Sequence, residues 1–145
     1  MEYNGGPLAA HCFLEMNYEK SSKILDIGAG TGIVGEILAK HGYTHVDALD
    51  GNPDMLNILK EKKCYRNVIL SMVGPEVRLP VKDREYDVVI MAGVFCPGHI
   101  EVKSLEQILR LVTPGKWEVS REFVLTYRKL TFSLSLSLSL SKFSL

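Results

Sequence analysis

KILDIGAGTGIVGE, residues 23–36, decides the fold. Ile24, Leu25 and Ile27 make an apolar run broken only by Asp26; glycines then alternate at 28, 30 and 32, and from Ile33 the pattern becomes helical. An apolar run that ends in a glycine turn and feeds a helix reads as a strand entering a crossover. The chain repeats this alternation. HVDALD (45–50), NVILSMV (67–73) and YDVVIMAG (86–93) read as further strands. PLAAHCFLEM (7–16), IVGEILAKHG (33–42), NPDMLNILKEKK (52–63) and EVKSLEQILRLV (101–112) read as helices, the last turning Val102, Leu105, Ile108, Leu109 and Val112 inward. Gly42 is a helix stop. Asn52 is a good N-cap, and Pro53 falls at the first helical position, where its missing N–H costs nothing. Strands that are nearly continuous in apolar residues, alternating with helices, predict an α/β fold: a doubly wound, mostly parallel sheet covered on both faces. Ligands of such sheets sit at the carboxyl ends of the strands, at the switch point beside the first strand, where the glycines fall.

Two overlapping patterns occupy the loop. One is Asp26-x-Gly28-x-Gly30-x-Gly32; the other, Gly30-x-Gly32-x-x-Gly35, formally matches the dinucleotide fingerprint. The second is out of phase, because its first glycine should close the strand and the strand ends at Asp26 to Gly28. Gly35 reads better as a position where helix and strand pack closely. Charge discriminates further. A dinucleotide would set its pyrophosphate beside the Asp26 carboxylate. S-adenosylmethionine has no phosphate and carries a sulfonium, an ammonium and a carboxylate; Asp26 suits the cations, and amides at the helix start suit the carboxylate. Glycine lets the main chain approach without a Cβ. Asp50 closes the second strand about 20 residues past the glycines, where an acid bonds ribose hydroxyls. Asp50 alone fits NAD equally well. Asn52 and Met55 follow it, Met55 in position to flank an adenine.

ILDIGAGTGIVGE, VDALDGNPDML, YDVVIMAG and RLVTPG together resemble the class I S-adenosylmethionine-dependent methyltransferases. VDALDGNPDML with KCYRN after it, GHI (98–100) after the fourth strand and YNGGPLAA (3–10) before the first are most similar to the methyltransferase-like protein 27, or Williams–Beuren region, group of that family. The resemblance covers residues 3–115. It implies a Rossmann-like methyltransferase fold and S-adenosyl-L-methionine as cofactor, with Asp26, Gly28, Ala29, Gly30 and Thr31 cradling the methionine end, Asp50 holding the ribose, and Gly51, Asn52 and Met55 around the adenine. Members of the family commonly place an acid after the third strand for the adenine amino group. Here that region is SMVGPEVRLP, with Glu76 displaced beyond the strand end. They also carry a helical segment ahead of YNGGP, so a chain starting at Met1 is expected to lack that lid.

The match stops at Gly115. Members continue into a fifth parallel strand and an antiparallel pair; this chain reads TPGKWEVSREFVLTYRKLTFSLSLSLSLSKFSL, with serine and leucine alternating from Ser133 to Ser141. The expected organisation is a methyltransferase domain over 1–115, incomplete in its last strands, and a divergent low-complexity tail over 116–145. Gly-Lys-Trp can be encoded GGT AAG TGG, containing the intron-start sequence GTAAGT, and a CT repeat read in threes gives Ser-Leu alternation. The hypothesis is that 116–145 is translated intron; a mixed codon set across the tract in the coding DNA would rule it out. The competing reading is a genuine strand, polar on one face and apolar on the other. EFVLTYRKL is a candidate to pair beside the fourth strand in place of the missing fifth. Without such a partner that strand is an exposed apolar edge.

Composition bounds the rest. Lys plus Arg and Asp plus Glu number 17 each, so charge gives no reason to expect nucleic acid or an anionic membrane as partner. Cys12, Cys64 and Cys96 are odd in number and widely spaced, which suggests neither a zinc site nor a disulfide scaffold and suits a reducing, cytoplasmic or nuclear setting. The N-terminus has no basic stretch followed by an apolar core, and no apolar run is long enough to span a bilayer. His99, in a loop after the fourth strand, is a candidate to take a proton from an acceptor, against the plainer reading of a solvated loop histidine. His11, His41 and His45 have no partners at ligand spacing, Cys96 has no cationic neighbour, and Asp87 reads as structural. No catalytic residue and no metal site is assigned. Three functions remain open: methyl transfer from S-adenosylmethionine to an unidentified acceptor; a non-catalytic S-adenosylmethionine binder or unstable truncated fragment; and an NAD-dependent oxidoreductase, which Asp26 disfavours.

Overall fold

The computed structural model describes residues 5–94, 102–113, 118–119 and 124–126. The elements in chain order are α1 (Gly5–Glu15), β1 (Ile24–Ile27), α2 (Ile33–Lys40), β2 (Val46–Asp50), α3 (Pro53–Glu61), β3 (Asn67–Leu70), β4 (Val88–Met91), a 3-10 turn (Val102–Ser104), α4 (Leu105–Leu109), β5 (Glu118–Val119) and β6 (Val124–Thr126). They form an α/β fold around one sheet of order β3-β2-β1-β4-β6-β5. β3, β2, β1 and β4 are parallel, with Asp26 level with Ala48 on one side and Ile90 on the other. The chain winds outward from β1 to β3 and then returns to β4 on the far side of β1. The switch point therefore lies between β1 and β4, and the glycine loop sits at its carboxyl end.

β1 and β4 are buried along their whole length, so their side chains divide between two cores by the period of two. Leu25, Ile27, Val89 and Met91 face Leu79, Ile108, Leu111 and Val112 on the α4 side. Ile24, Val88 and Ile90 face Ala9, Ala10, Phe13, Val34 and Leu38 from α1 and α2. A smaller cluster of Ala29, Ala48, Leu56 and Leu59 seats α3 against the loop. Asn52 caps α3 as its sequence requires, its Oδ1 accepting from Asp54 N at 2.9 Å and from Met55 N at 3.4 Å.

Val124–Thr126, within the stretch EFVLTYRKL, lies beside β4. It runs antiparallel, with Val88 opposite Thr126 and Ile90 opposite Val124, and β5 pairs antiparallel with it in turn. The edge of β4 is covered by a strand of opposite sense, in place of a fifth parallel one. The helix expected over 101–112 is shorter: Val102–Ser104 is a 3-10 turn, α4 ends at Leu109, and Val112 forms a parallel bridge to Tyr86. Lys23 N donates to Asp87 Oδ2 at 2.9 Å, a structural use of that acid. Cys96, Gly98, His99, Gly115 and the alternating tract 133–141 lie outside the described residues. Among the described residues no helix is long and apolar enough to cross a membrane, and no group of three or more His, Cys, Asp or Glu is placed to hold a metal ion.

Candidate functional site at the carboxyl end of the first strand

Chain direction reverses at Gly28 and Gly30, whose φ values of 72° and 53° are in the left-handed region that glycine tolerates. The two differ in what surrounds them. A Cβ on Gly28 would lie 2.2 Å from Val94 Cγ1, whereas one on Gly30 would meet nothing within 4 Å. Gly28 thus turns into the protein and Gly30 opens outward. Most amides of the turn are bonded internally: Gly28 N and Ala29 N donate to Leu49 O, Gly32 N to Ala29 O, and Gly30 N to Asp50 Oδ2 at 2.8 Å. Those four are committed to holding the loop. The amides of Thr31 and Ile33 have no acceptor among the described residues.

Asp50 stands at the end of β2, half-buried, beside the loop. Each of its oxygens accepts one main-chain amide, Oδ2 from Gly30 and Oδ1 from Asn52, both at 2.8 Å. Carboxylate oxygens have a second lone pair each, so Asp50 is held rigidly while retaining two acceptor positions. Gly51 follows in close contact with the next segment: a Cβ there would lie 2.2 Å from Met72 Sδ. Met55, Leu70 and Met72, 39%, 59% and 68% exposed, surround this end of β2 and β3 with apolar surface. Glu76 is exposed beyond it.

Asp26 is placed differently from the rim position its sequence suggests. It is 1% exposed. It points to the α2 and α3 side of the sheet, and its Oδ2 accepts from the Tyr65 hydroxyl at 2.6 Å. Burial pushes its carboxyl up to about 7; the Tyr65 hydrogen bond opposes that rise and the Asp50 charge adds to it. Burial, with the adjacent Asp26 charge, likewise raises the Tyr65 phenol. Asp26 therefore lies beneath the loop, and the carboxylate that reaches the surface there is that of half-buried Asp50.

Tyr65 is the residue that sequence reasoning missed. Its oxygen also accepts from Gly35 N at 2.9 Å. The N-cap of α2 is Gly32, which has no side chain to cap it, so the hydroxyl of Tyr65 serves one of the first-turn amides from 30 residues away. The ring explains Gly35: an added Cβ would be 2.2 Å from Tyr65 Cζ. The third glycine of the formal dinucleotide pattern makes room for a tyrosine.

A second buried acid, Asp47, supports the sheet away from this site. It accepts from Arg66 Nε at 2.9 Å and Nη2 at 2.6 Å, from Asn67 Nδ2 at 3.1 Å and from Tyr86 OH at 2.8 Å. Burial alone would raise its carboxyl, but the bonds from Arg66, Tyr86 and Asn67 outweigh it and hold the group below the usual range.

The sequence profile of the family described as "Methyltransferase domain" matches residues 24–115, from the start of β1 past α4. The chain belongs to the class I S-adenosylmethionine-dependent methyltransferase family. Methyltransferase-like protein 27 of Homo sapiens is 28% identical over 115 residues, which are 78% of this chain and 46% of that protein. Demethylmenaquinone methyltransferase of Staphylococcus haemolyticus is 29% identical over 107 residues, 72% of this chain and 45% of that one. The crystal structure of a SAM-dependent methyltransferase from Aquifex aeolicus superimposes with a TM-score of 0.60 at 26% identity, over 73% of this chain and 58% of that one. The chain spans about half the length of the curated relatives it matches. The site residues all lie inside the matched stretch.

Proposed function

We propose that this chain binds S-adenosylmethionine at the carboxyl ends of β1 and β2 and serves methyl transfer to an acceptor nucleophile. The observation that carries the reading is Asp50, whose carboxylate is clamped by the amides of Gly30 and Asn52 with a lone pair left on each oxygen. A ribose diol matches that pair of acceptors. The open space over Gly30 accommodates a ligand passing close to the main chain, and the amides of Thr31 and Ile33 at the start of α2 suit a carboxylate. Ala29 remains packed on Leu56 and Leu59, fixing the loop from behind. Gly51, Asn52 and Met55 border the adenine end, where Met55 contributes an apolar face.

When bound, S-adenosylmethionine supplies an electrophilic methyl group on a sulfonium. The chain's own contribution is positional: Asp50 and the loop orient the ligand, and the apolar surround excludes water. No proton-transfer group is assigned.

Isothermal titration calorimetry with S-adenosylhomocysteine tests the reading. Binding is expected for the wild type, with a loss of about 10–100-fold in Asp50→Ala, the amount expected for lost hydrogen bonds to a charged group. NAD is expected to give no heat. Heat from NAD and none from S-adenosylhomocysteine would refute the proposal. Binding without turnover on a panel of acceptors would keep the site and remove the transfer.

A further inference from the structure

We propose that Tyr65 is a positioning residue that couples the ionisation of Asp26 to the glycine loop and the start of α2, making ligand affinity depend on pH. The inference rests on the reading of the loop as an S-adenosylmethionine site. One tyrosine side chain joins three parts of that site. It donates to Asp26 at the end of β1 and accepts from Gly35 in the first turn of α2, while the ring stands against the position of Gly32. Gly32 Cβ, if present, would be 3.1 Å from the ring. Strand end and helix start thus share a single hydroxyl, and the loop rests against its ring.

Asp26 is fully enclosed, so it acts on a ligand through the loop. Its charge is felt strongly there because little water intervenes. The groups facing it are few. Asp50 comes from β2, and Tyr65 and Cys64 from the connection between α3 and β3. Glu36 of α2 is turned outward to Lys40 and Lys62, at 3.2 and 3.0 Å. The level neighbour on β4 is Ile90, which does not titrate. No described cation pairs with Asp26, and the Tyr65 hydrogen bond is what favours its ionised form. A ligand carrying an ammonium or a sulfonium binds better to the ionised state. Affinity therefore rises with pH through the Asp26 titration, and loss of the phenol moves that rise to higher pH. A tyrosine that only filled space would leave the midpoint where it is.

The stability sign is opposite to that of an ordinary buried carboxylate. The folded pKa of Asp26 lies above the unfolded one, so the folded state holds the extra proton between them. Its contribution is fully present in acid and is lost as pH rises toward about 7.

The test is S-adenosylhomocysteine affinity by calorimetry from pH 5.5 to 8.5, with melting temperatures of the ligand-free protein over the same range. The proteins are wild type, Tyr65→Phe and Asp26→Asn. Phenylalanine keeps the ring. The wild type is expected to gain affinity through a midpoint near neutrality, Tyr65→Phe to show it about one pH unit higher, and Asp26→Asn to lack it. Between pH 5.5 and 8.5 the ligand-free wild type is expected to lose thermal stability more steeply than Asp26→Asn. An unchanged midpoint in Tyr65→Phe, or a retained one in Asp26→Asn, overturns the inference. If Tyr65→Phe does not fold, Tyr65→Leu, which also lacks the phenol, takes its place, and an unchanged midpoint there overturns the inference. Absence of any wild-type binding would instead overturn the cofactor reading, and the ligand-free melts would still report on Asp26.

Discussion

Gly35→Ala puts a methyl group into space that the Tyr65 ring already fills. Position 35 is in the first turn of α2, where alanine ordinarily stabilises a helix by about 1 kcal/mol relative to glycine. Here the new Cβ would lie 2.2 Å from Tyr65 Cζ, with the two flanking ring carbons at 2.5 and 2.6 Å. The ring cannot step aside cheaply, because its hydroxyl is bonded to Asp26 at 2.6 Å and to Gly35 N at 2.9 Å. Overpacking of this kind costs about 1–3 kcal/mol. Losing the bond to the Asp26 carboxyl costs about 1.5–3 kcal/mol more. Set against the helix gain, the net loss is about 2–5 kcal/mol. For a chain of this length that lowers the melting temperature by about 5–15 °C. Urea denaturation and calorimetric melts of wild type, Gly35→Ala, Tyr65→Ala and the double variant provide the assay. In the absence of the ring the alanine is expected to be neutral or stabilising, giving a coupling of about 2 kcal/mol or more. A stabilising Gly35→Ala in the wild-type background would refute the reasoning, as would a loss that persists unchanged without the ring.

Asn52→Ala removes the only side-chain cap of α3 and is expected to cost about 1 kcal/mol in a urea titration, with Asn52→Ser recovering most of it. Asp47→Asn strips Arg66 and Tyr86 of a charged acceptor; because Arg66 is partly exposed, the expected loss is about 2 kcal/mol, below that for a fully enclosed pair. The Asp47 carboxyl is held below its unfolded value, so its stabilisation is present above about pH 4 and disappears as pH falls through the folded pKa. Acid unfolding of Asp47→Asn should accordingly lack the part of the wild-type transition that this group supplies. Ending the chain at Gly115 strips β4 of its antiparallel neighbour and is expected to increase the aggregated fraction in size-exclusion chromatography; an unchanged elution profile would show that β6 is not needed to cover that edge.

The strands and helices that position the site were legible because each is announced within a few residues. Val88–Met91 is apolar throughout, as a strand covered on both faces must be. Asn52-Pro53 marks the start of α3 by local hydrogen bonding and a fixed φ. Asp50 was placed from its distance to the glycines, since a strand, a loop and a crossover helix have little freedom in length. The end of α4 was less legible: Val112 continues the apolar spacing but forms a bridge to Tyr86. Asp26 could have been anticipated as enclosed, since it alternates with Leu25 and Ile27 in a strand buried on both faces. Its partner could not, because Tyr65 lies 39 residues away and no local pattern connects the two.

By itself the sequence determined the alternation of strands and helices, the glycine turn at the end of the first strand and the family to which residues 24–115 belong. These follow from hydrophobic period, caps and φ preferences, which act over one or two turns of chain. Only the tertiary structure decided that Asp26 lies under the loop while Asp50 reaches its surface, that a tyrosine joins β1 to α2, and that the edge of β4 is paired antiparallel. Burial and long-range hydrogen bonding set those outcomes, and both depend on which segments meet once the sheet has formed.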